Sequence, residues 1–293
     1  MTSTPVSRWR AAVLAACSLA LLSACATGSG DGTTVRAADQ QGAMVIGSDR
    51  SAESRVVAAL YGELLTAAGR RVRTAPTVYA SAADSARAVV AGDIDLAPAY
   101  ETAALRALPH GQTMPDDLAA TLSMALPPGV VALKPARAER GVVVAVTAAT
   151  ARRHHLSGLA DLGGTDVRLT LGGPASGDPD APSAASIKKT YGAILAAAGT
   201  SRTADVLVLH DTDPAIAREG LVVLADPKDV VPPEHVFPLA DASATDLTAR
   251  KALAEINSRL TTAELAGLVA AVDAGRTPAK AARAWLRAKG LTA

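Results

Sequence analysis

The feature that most constrains this chain is an alternation of short apolar segments with segments of helical periodicity, which begins near residue 44. The apolar segments predict strands and the periodic ones predict helices: strands Met44–Ile46, Arg71–Val78 and Ile94–Ala97, helices Ala52–Ala68 and Ser81–Ala91. Such an alternation predicts a parallel sheet, and ligands of such sheets bind at the carboxyl ends of the strands. Gly47 opens the turn after the first strand, and the third strand leads to Tyr100. The sequence therefore predicts an α/β fold with a small-molecule site near these two residues.

A second series of alternating segments follows further along the chain. The remaining predicted elements are helix Pro115–Leu126, strands Val130–Leu133, Val142–Val146, Arg168–Leu171, Asp205–Leu209 and Leu221–Leu224, helices Ser183–Ala198 and Pro214–Arg218, and three amphipathic C-terminal helices, Leu247–Leu260, Ala263–Ala271 and Pro278–Ala288. We expect two lobes joined by crossings near Pro135 and Val236, with Phe237-Pro238 in the return crossing. The C-terminal helices are expected to pack on the first lobe.

The N-terminus has the pattern of a bacterial lipoprotein export signal. Two arginines precede the apolar stretch Ala11–Leu22, which is too short to span a bilayer comfortably, and the sequence Leu22-Ser-Ala-Cys25 resembles a lipobox. The sequence predicts a signal peptide over residues 1–24, lipidation of Cys25, and a flexible tether over residues 25–42. An ordinary cleaved secretory signal is the alternative interpretation.

Charge, cysteine content and motifs exclude several classes of function. Residues 1–24 contain two of the 29 basic residues and none of the 28 acidic ones, so the remainder has a net charge of −1 and no reason to bind nucleic acid. With Cys17 in the signal and Cys25 lipidated, the folded part has no thiol. His154-His155 lacks partners at ligand spacing, so we expect no metal site. Without a nucleophile elbow, phosphate loop or dinucleotide fingerprint, we expect neither an enzyme nor a bound cofactor.

The order and spacing of four motifs give the chain a family resemblance. They are Ile46-Gly-Ser48 followed by Glu53, Gly92-Asp-Ile-Asp95 followed by Tyr100, Leu133-Lys-Pro-Ala-Arg-Ala-Glu-Arg-Gly141, and Thr212-Asp-Pro-Ala-Ile-Ala-Arg-Glu-Gly-Leu-Val-Val-Leu224. From about Met44 to Leu291, the chain resembles the substrate-binding proteins of osmoprotectant (glycine betaine, choline, carnitine) ABC importers. The resemblance implies the two-lobed type II periplasmic-binding-protein fold, with a ligand cleft between the lobes.

The resemblance also implies a domain layout and a transport role. Lobe 1 is expected at residues 43–135 plus 237–293, and lobe 2 at residues 136–236. The expected function is to capture a small quaternary amine, such as glycine betaine or choline, and to deliver it to an ABC permease. The protein is expected to be an extracytoplasmic, lipid-anchored monomer. Two alternatives stay open: the same role with a non-cationic ligand, or a non-transport sensor or interaction lipoprotein.

Candidate ligand residues follow from the chemistry of a quaternary ammonium group, which has no N–H and is held by aromatic π-faces. The candidates are Tyr100, Tyr79, Asp95, Ser48, Asp49, Thr212 and Tyr191. The tyrosines supply rings, and Tyr100 and Asp95 also match a tyrosine and an acid of the family. The other three lie in strand-to-helix turns, where helix N-termini favour anionic or carbonyl groups.

Each candidate also has a structural alternative. Tyr100 and Tyr191 also suit packing positions, Asp95 suits a loop cap, and the turn residues suit helix caps. Tyr61 and Trp285 lie on amphipathic helices and are expected to pack in the core, and Phe237 is expected to anchor the crossing. The family's lysine after Gly-Ser is Asp49 here, and Gly173–Pro182 contains no aromatic residue or arginine. The sequence therefore shows no complete aromatic box with a carboxylate clamp.

Overall fold

Two five-stranded mixed sheets organise the chain in the computed structural model, which describes residues 42–108, 118–231 and 234–293. The predicted signal peptide, Cys25 and all but the last residue of the tether lie outside the described residues. The described strands are β1 (Met44–Ile46), β2 (Val72–Thr74), β3 (Leu96–Ala99), β4 (Val130–Ala132), β5 (Glu139–Arg140), β6 (Val142–Val146), β7 (Thr170–Gly172), β8 (Ala196–Ala197), β9 (Val206–His210), β10 (Val222–Val223), β11 (Glu234–His235) and β12 (Phe237–Asp241). The α/β prediction is confirmed.

Helices cover both sheets, and most of the predicted ones are present with small shifts at their ends. The described α-helices are α1 (Ala52–Ala67), α2 (Ala82–Ala91), α3 (Glu101–Ala107), α4 (Leu118–Ala125), α5 (Ala148–His154), α6 (Ala184–Tyr191), α7 (Ala215–Arg218), α8 (Leu247–Arg259), α9 (Thr262–Asp273) and α10 (Pro278–Ala288). A 3₁₀-helix spans Leu159–Gly164. None of the described helices has the length and apolar character that crossing a bilayer requires.

The first sheet has the strand order β2-β1-β3-β12-β4, in which β1 pairs in parallel with β2 and β3 as predicted. The prediction that Phe237-Pro238 belongs to a crossing was wrong, because both residues lie in β12, which runs antiparallel between β3 and β4. The proline suggested a turn, yet Pro238 lies opposite Pro98, and the Pro238 carbonyl still accepts the Leu133 N–H at 2.9 Å. The first sheet is therefore mixed rather than parallel.

The second sheet has the order β10-β6-β9-β7-β8, with β6 and β9 paired antiparallel over their full lengths. The predicted helix Ser183–Ala198 is too long, because Gly192 takes a left-handed conformation (φ +77°) that ends α6. Ala196 and Ala197 then form β8, parallel to β7. We call the elements around the first sheet the first lobe, and those around the second sheet the second lobe.

The chain leaves the first sheet after β4 and returns to it at β12. On the way out and on the way back it forms β5 and β11, which pair antiparallel with Arg140 opposite Glu234 and Glu139 opposite His235. We call this pair of strands the crossing ribbon. The ribbon places Arg140 at the junction of the two lobes.

The core of the first lobe forms where α1 packs against α8, α9 and α10. The buried face of α1 carries Val56, Leu60, Tyr61 and Leu64 at helical spacing, which brings the C-terminal helices onto the first lobe. Tyr61 donates a hydrogen bond to Asn257 of α8 at 3.4 Å. Trp285 of α10 is buried in the same cluster, so Tyr61 and Trp285 are packing residues.

Gly173, which follows β7, lies so close to the backbone of β9 that a substitution there tests the packing of the second lobe. Its φ is +144°, and a Cβ there would lie 2.4 Å from the backbone oxygen of Val208. Because backbone cannot move aside cheaply, we expect Gly173→Ala to lower the free energy of unfolding by about 2–4 kcal/mol in urea denaturation. Gly177 lies in the same loop with open space around it, so Gly177→Ala should change stability by less than about 0.5 kcal/mol. Equal effects of the two substitutions would contradict the close approach.

Candidate ligand-binding site

Two side chains of the first lobe meet at the carboxyl ends of its central strands. Because β1 and β3 are parallel neighbours, the turn after β1 and the residue after β3 lie at the same sheet edge. Ser51 caps α1 by accepting the Ser54 N–H at 3.0 Å, which places Glu53 in the first helical turn. Tyr100, at the start of α3 and only 1% exposed, donates its hydroxyl hydrogen to the Glu53 carboxylate.

The second lobe and the crossing ribbon complete this group. Thr212, after β9, donates its hydroxyl hydrogen to Oε2 of Glu53 at 2.7 Å. The guanidinium carbon of Arg140 lies 4.6 Å from the centre of the Tyr100 ring, within the range of a cation–π contact. Its Nε lies 3.7 Å from Oε1 of Glu53. We call Glu53, Tyr100, Arg140 and Thr212 the Glu53 cluster, and it joins both lobes around one buried carboxylate.

Further polar contacts between the lobes surround a cavity beside the Glu53 cluster. Arg106 of α3 forms a bidentate ion pair with Asp180 of the second lobe, and the Thr102 hydroxyl lies 3.0 Å from the same carboxylate. Nη2 of Arg140 lies 3.4 Å from Asp178. The cavity has a volume of about 280 Å³, and its lining includes Asp49, Arg106, Arg140, Asp178 and Asp180. Residues of both lobes therefore line one polar cavity.

Carboxylates outnumber cations in this cleft, and burial shifts the pKa values of several groups. Burial, reinforced by the charge of Glu53, raises the pKa of Asp211 to about 7. Burial also raises the pKa of Glu234 to about 7, although hydrogen bonds from Thr102 oppose the shift. Burial lowers the pKa of His210, which leaves its imidazole neutral at pH 7.

Arg140 is the cation that the carboxylates of Glu53 and Asp178 hold in place. Burial lowers the pKa of its guanidinium, but Tyr100 and the carboxylates of Glu53 and Asp178 outweigh burial and raise the pKa above its usual range. Its charge is therefore fixed at any physiological pH.

Two buried polar atoms near the Glu53 cluster have no hydrogen-bond partner among the described residues. They are Nδ1 of His210 and Oδ1 of Asp211, at the end of β9 and in the turn before Thr212. An unpaired buried polar atom costs about 1–3 kcal/mol. The cleft therefore has hydrogen-bonding capacity that the protein itself does not use.

Three of the sequence-predicted site residues lie at this cleft. Tyr100 and Thr212 belong to the Glu53 cluster. Asp49 lines the cavity, and its Oδ1 also accepts the Ser51 N–H at 2.7 Å.

The other four predicted residues do not line this cavity, although the backbone of Tyr79 pairs with Asp49 at its edge. Asp95 precedes β3, at the end opposite Tyr100, where its carboxylate accepts the Val45 N–H at 2.6 Å and joins two strands. Ser48 faces a different groove, together with Arg55 and Pro278. The Tyr79 ring packs beside Gly47 and Ile94. Tyr191 donates to Asp226 at 2.5 Å, accepts the Lys228 N–H and packs within the second lobe. The packing of Tyr191 matches its structural alternative, whereas Asp95 bonds a strand N–H and Ser51, not Ser48, caps α1. Ligand contact by these four residues stays a prediction.

Sequence reasoning missed the charged residues that define the site. Glu53 stood in the first motif with no role assigned, although an acid in the first turn of a helix after a glycine turn is a visible signal. Arg140 stood in the third motif, one residue before Gly141. Asp178 and Asp180 occupy the Gly173–Pro182 segment, whose sequence has no aromatic residue or arginine to mark it as part of a ligand site. Among the described residues, no cluster of His, Cys, Asp or Glu is arranged to hold a metal ion.

The raised pKa of Asp211 predicts a pH-dependent stability. An unfolded Asp titrates near pH 4, so between about pH 4 and 7 the native state keeps a proton that the unfolded chain has lost. The contribution of Asp211 to the free energy of unfolding therefore falls as pH rises, by at most about 1.4 kcal/mol per pH unit. Asp211→Asn cannot titrate and therefore does not lose this stability. In urea titrations, the free energy of unfolding of Asp211→Asn minus that of the wild type should rise from pH 4 to pH 7.

Asp205 provides a control of the opposite sign. Hydrogen bonds from Thr170 lower its pKa, so it stabilises the fold above its ordinary pKa and loses that effect as pH falls. Asp205→Asn should therefore show a deficit at pH 7 that shrinks only in acid. Parallel curves for Asp211→Asn and wild type between pH 4 and 7 would refute the assignment.

Comparisons with known proteins agree with this architecture. Residues 42–288 match a family called OpuAC, described as the substrate binding domain of an ABC-type glycine betaine transport system. No curated protein sequence matches the chain.

Solved structures share the fold over most of their length. A glycine betaine/carnitine/choline ABC transporter structure is 20% identical, with a TM-score of 0.74 over 85% of this chain and 99% of that chain. Lactococcal OpuAC, closed and complexed with glycine betaine, is 16% identical, with a TM-score of 0.58 over 84% and 96%. An ABC-transporter choline binding protein in complex with choline is 15% identical, with a TM-score of 0.56 over 86% and 90%.

At these identities the likeness to solved structures concerns the fold, and it confirms the predicted two-lobed type II periplasmic-binding-protein fold. The family match covers nearly all of the described chain and confirms the resemblance found in the sequence motifs. The chain therefore belongs to the OpuAC family, the substrate-binding domains of ABC-type glycine betaine transport systems.

Proposed function

We propose that this protein captures a small osmolyte in the cleft between its lobes and delivers it to the permease of an ABC importer. The observation that carries the proposal is the Glu53 cluster, in which both lobes and the crossing ribbon contribute side chains to one site. A site built in this way is complete only when the lobes approach. Ligand binding then favours the closed form in proportion to its preference for that form, and the permease receives the closed form.

We propose a quaternary amine such as glycine betaine or choline as the ligand. The excess of carboxylates around the cavity attracts a cation, and Tyr100 supplies a π-face at the sheet edge. Relatives of the same fold were solved with glycine betaine and with choline, which supports this ligand class.

A second candidate keeps the fold and the transport role but takes a neutral ligand rich in hydroxyl groups. Nδ1 of His210 and Oδ1 of Asp211 are unpartnered, and a hydrogen-bonding ligand would satisfy them. A trimethylammonium group would not, because it carries no N–H.

Calorimetric titration with glycine betaine, choline, carnitine and proline betaine distinguishes these ligands. We expect binding by the wild type, retained in Tyr100→Phe and weakened about 2- to 30-fold in Tyr100→Leu, which loses the π-face but keeps apolar volume. Tyr191→Leu, in the second lobe and outside the Glu53 cluster, should bind as the wild type does. No heat with any of the four would reject the quaternary amine and favour the hydroxyl-rich ligand.

We propose that the protein acts on the outer side of the cell membrane as a monomer anchored through a lipid on Cys25. As a member of a substrate-binding family of ABC importers, it functions outside the cytoplasm. The lipobox Leu22-Ser-Ala-Cys25 after a basic and then apolar segment supports the lipid anchor. A single acyl chain binds a bilayer only reversibly, whereas two or more chains on one residue hold a protein there stably.

Fractionation of cells that express the chain tests the anchor. Cys25→Ser removes the atom that carries the lipid, so we expect the protein to move from the membrane fraction to the soluble fraction. Cys17→Ser removes the other cysteine, within the signal, and should leave the protein at the membrane. An unchanged distribution of Cys25→Ser would contradict lipidation at this residue.

A further inference from the structure

Arg140 already contacts an aromatic ring and a carboxylate, as the cationic ligand proposed above would, and the inference drawn from this rests on that proposed function. An aromatic face attracts a cation, most strongly where water is excluded, and a carboxylate attracts it as well. The Arg140 guanidinium lies 4.6 Å from the Tyr100 ring centre and 3.7 Å from Glu53. Its side chain is only 21% exposed.

We propose that Arg140 is a built-in cation that occupies the cation-binding position between Tyr100 and Glu53, so that an external cationic ligand binds only by displacing its side chain. The proposal makes Arg140 a residue that sets affinity and specificity. Its position on the crossing ribbon also links this role to the approach of the lobes.

The contacts of Glu53 explain why displacement is required. Oε1 of Glu53 faces Arg140, and Oε2 accepts the hydrogen bond from Thr212 of the second lobe. Tyr100 donates to the same carboxylate. The carboxylate is therefore fully engaged by residues of this chain, and a ligand cation reaches it only when Arg140 withdraws.

A displaced Arg140 side chain has alternative partners in two neighbouring carboxylates. Its Nη2 already lies 3.4 Å from Asp178 in the cavity wall, and Glu234 lies opposite it on the crossing ribbon. A swing toward these two carboxylates keeps the guanidinium paired and exposes the Tyr100 face.

Arg106 offers a matched control for the charge of Arg140. It is also an arginine that joins the lobes, through Asp180, but it is 33% exposed and it has no ring contact with Tyr100. Loss of Arg106 removes its ion pair with Asp180, and loss of Arg140 removes its ion pairs with Glu53 and Asp178, but only loss of Arg140 vacates the cation-binding position.

The experiment combines a distance between the lobes with a binding measurement on the purified protein. Spin labels at Lys251→Cys in the first lobe and Arg153→Cys in the second lobe, with the native cysteines changed to serine, report lobe separation. Calorimetry with choline reports affinity. The variants are Arg140→Gln, Arg140→Met and Arg106→Gln, and Arg140→Met repeats the test if Arg140→Gln does not fold.

We expect the wild type to hold a short distance between the lobes without added choline and Arg140→Gln to shift to a longer one. Arg140→Gln should bind choline at least tenfold more tightly than the wild type, because no internal cation competes. Arg106→Gln also removes a cation from the cavity wall, but it should not show this tenfold gain, because Arg140 still fills the position between Tyr100 and Glu53. Equal choline affinity and equal lobe separation in Arg140→Gln and wild type would overturn the built-in cation and leave the transport role standing. No choline binding by any of the proteins would overturn the quaternary-amine ligand and, with it, the displacement proposed for Arg140, whether or not the lobes of Arg140→Gln separate.

Discussion

The burial of one carboxylate organises the ligand site of this protein. Glu53 lies in the first turn of α1 and is almost completely removed from water, so it must find compensating partners. It takes them from three parts of the chain: Tyr100 of the first lobe, Thr212 of the second lobe, and Arg140 of the crossing ribbon. The approach of the lobes is therefore tied to the electrostatics of a single side chain.

Local sequence signals predicted much of the fold because they act over a few residues. Apolar strands, helix caps such as Ser51 and Ser81, and glycines that end helices placed β1, α1, α2 and the C-terminal helices to within a few residues. Long-range pairing was less visible. Phe237-Pro238 suggested a crossing because nothing in its neighbourhood shows that Pro98 lies opposite, and the end of α6 depends on the backbone of Gly192.

For the candidate site, too, local signals could be predicted from the sequence and long-range contacts could not. Tyr100 and Asp49 follow the parallel neighbours β3 and β1, whose carboxyl ends meet at one sheet edge, and Thr212 follows β9 of the second sheet, so strand position was a sufficient signal for them. Asp95 lies at the other end of β3 from Tyr100, because the extended strand separates the two residues, and there it accepts the Val45 N–H. Arg140 and Asp178 could not be predicted, since their role depends on how the two lobes meet and that geometry has no local signature.

The two carboxyl groups with pKa values near 7 have a consequence for thermodynamic measurements. Asp211 and Glu234 are partly protonated at neutral pH because burial disfavours their charged forms. A cation that enters beside them favours the ionised forms, so protons leave the protein as the cation binds. The heat of binding then contains the ionisation enthalpy of the buffer, and its variation from one buffer to another counts the protons released. If the ligand is a cation, its capture in this cleft releases protons as well as forming a complex.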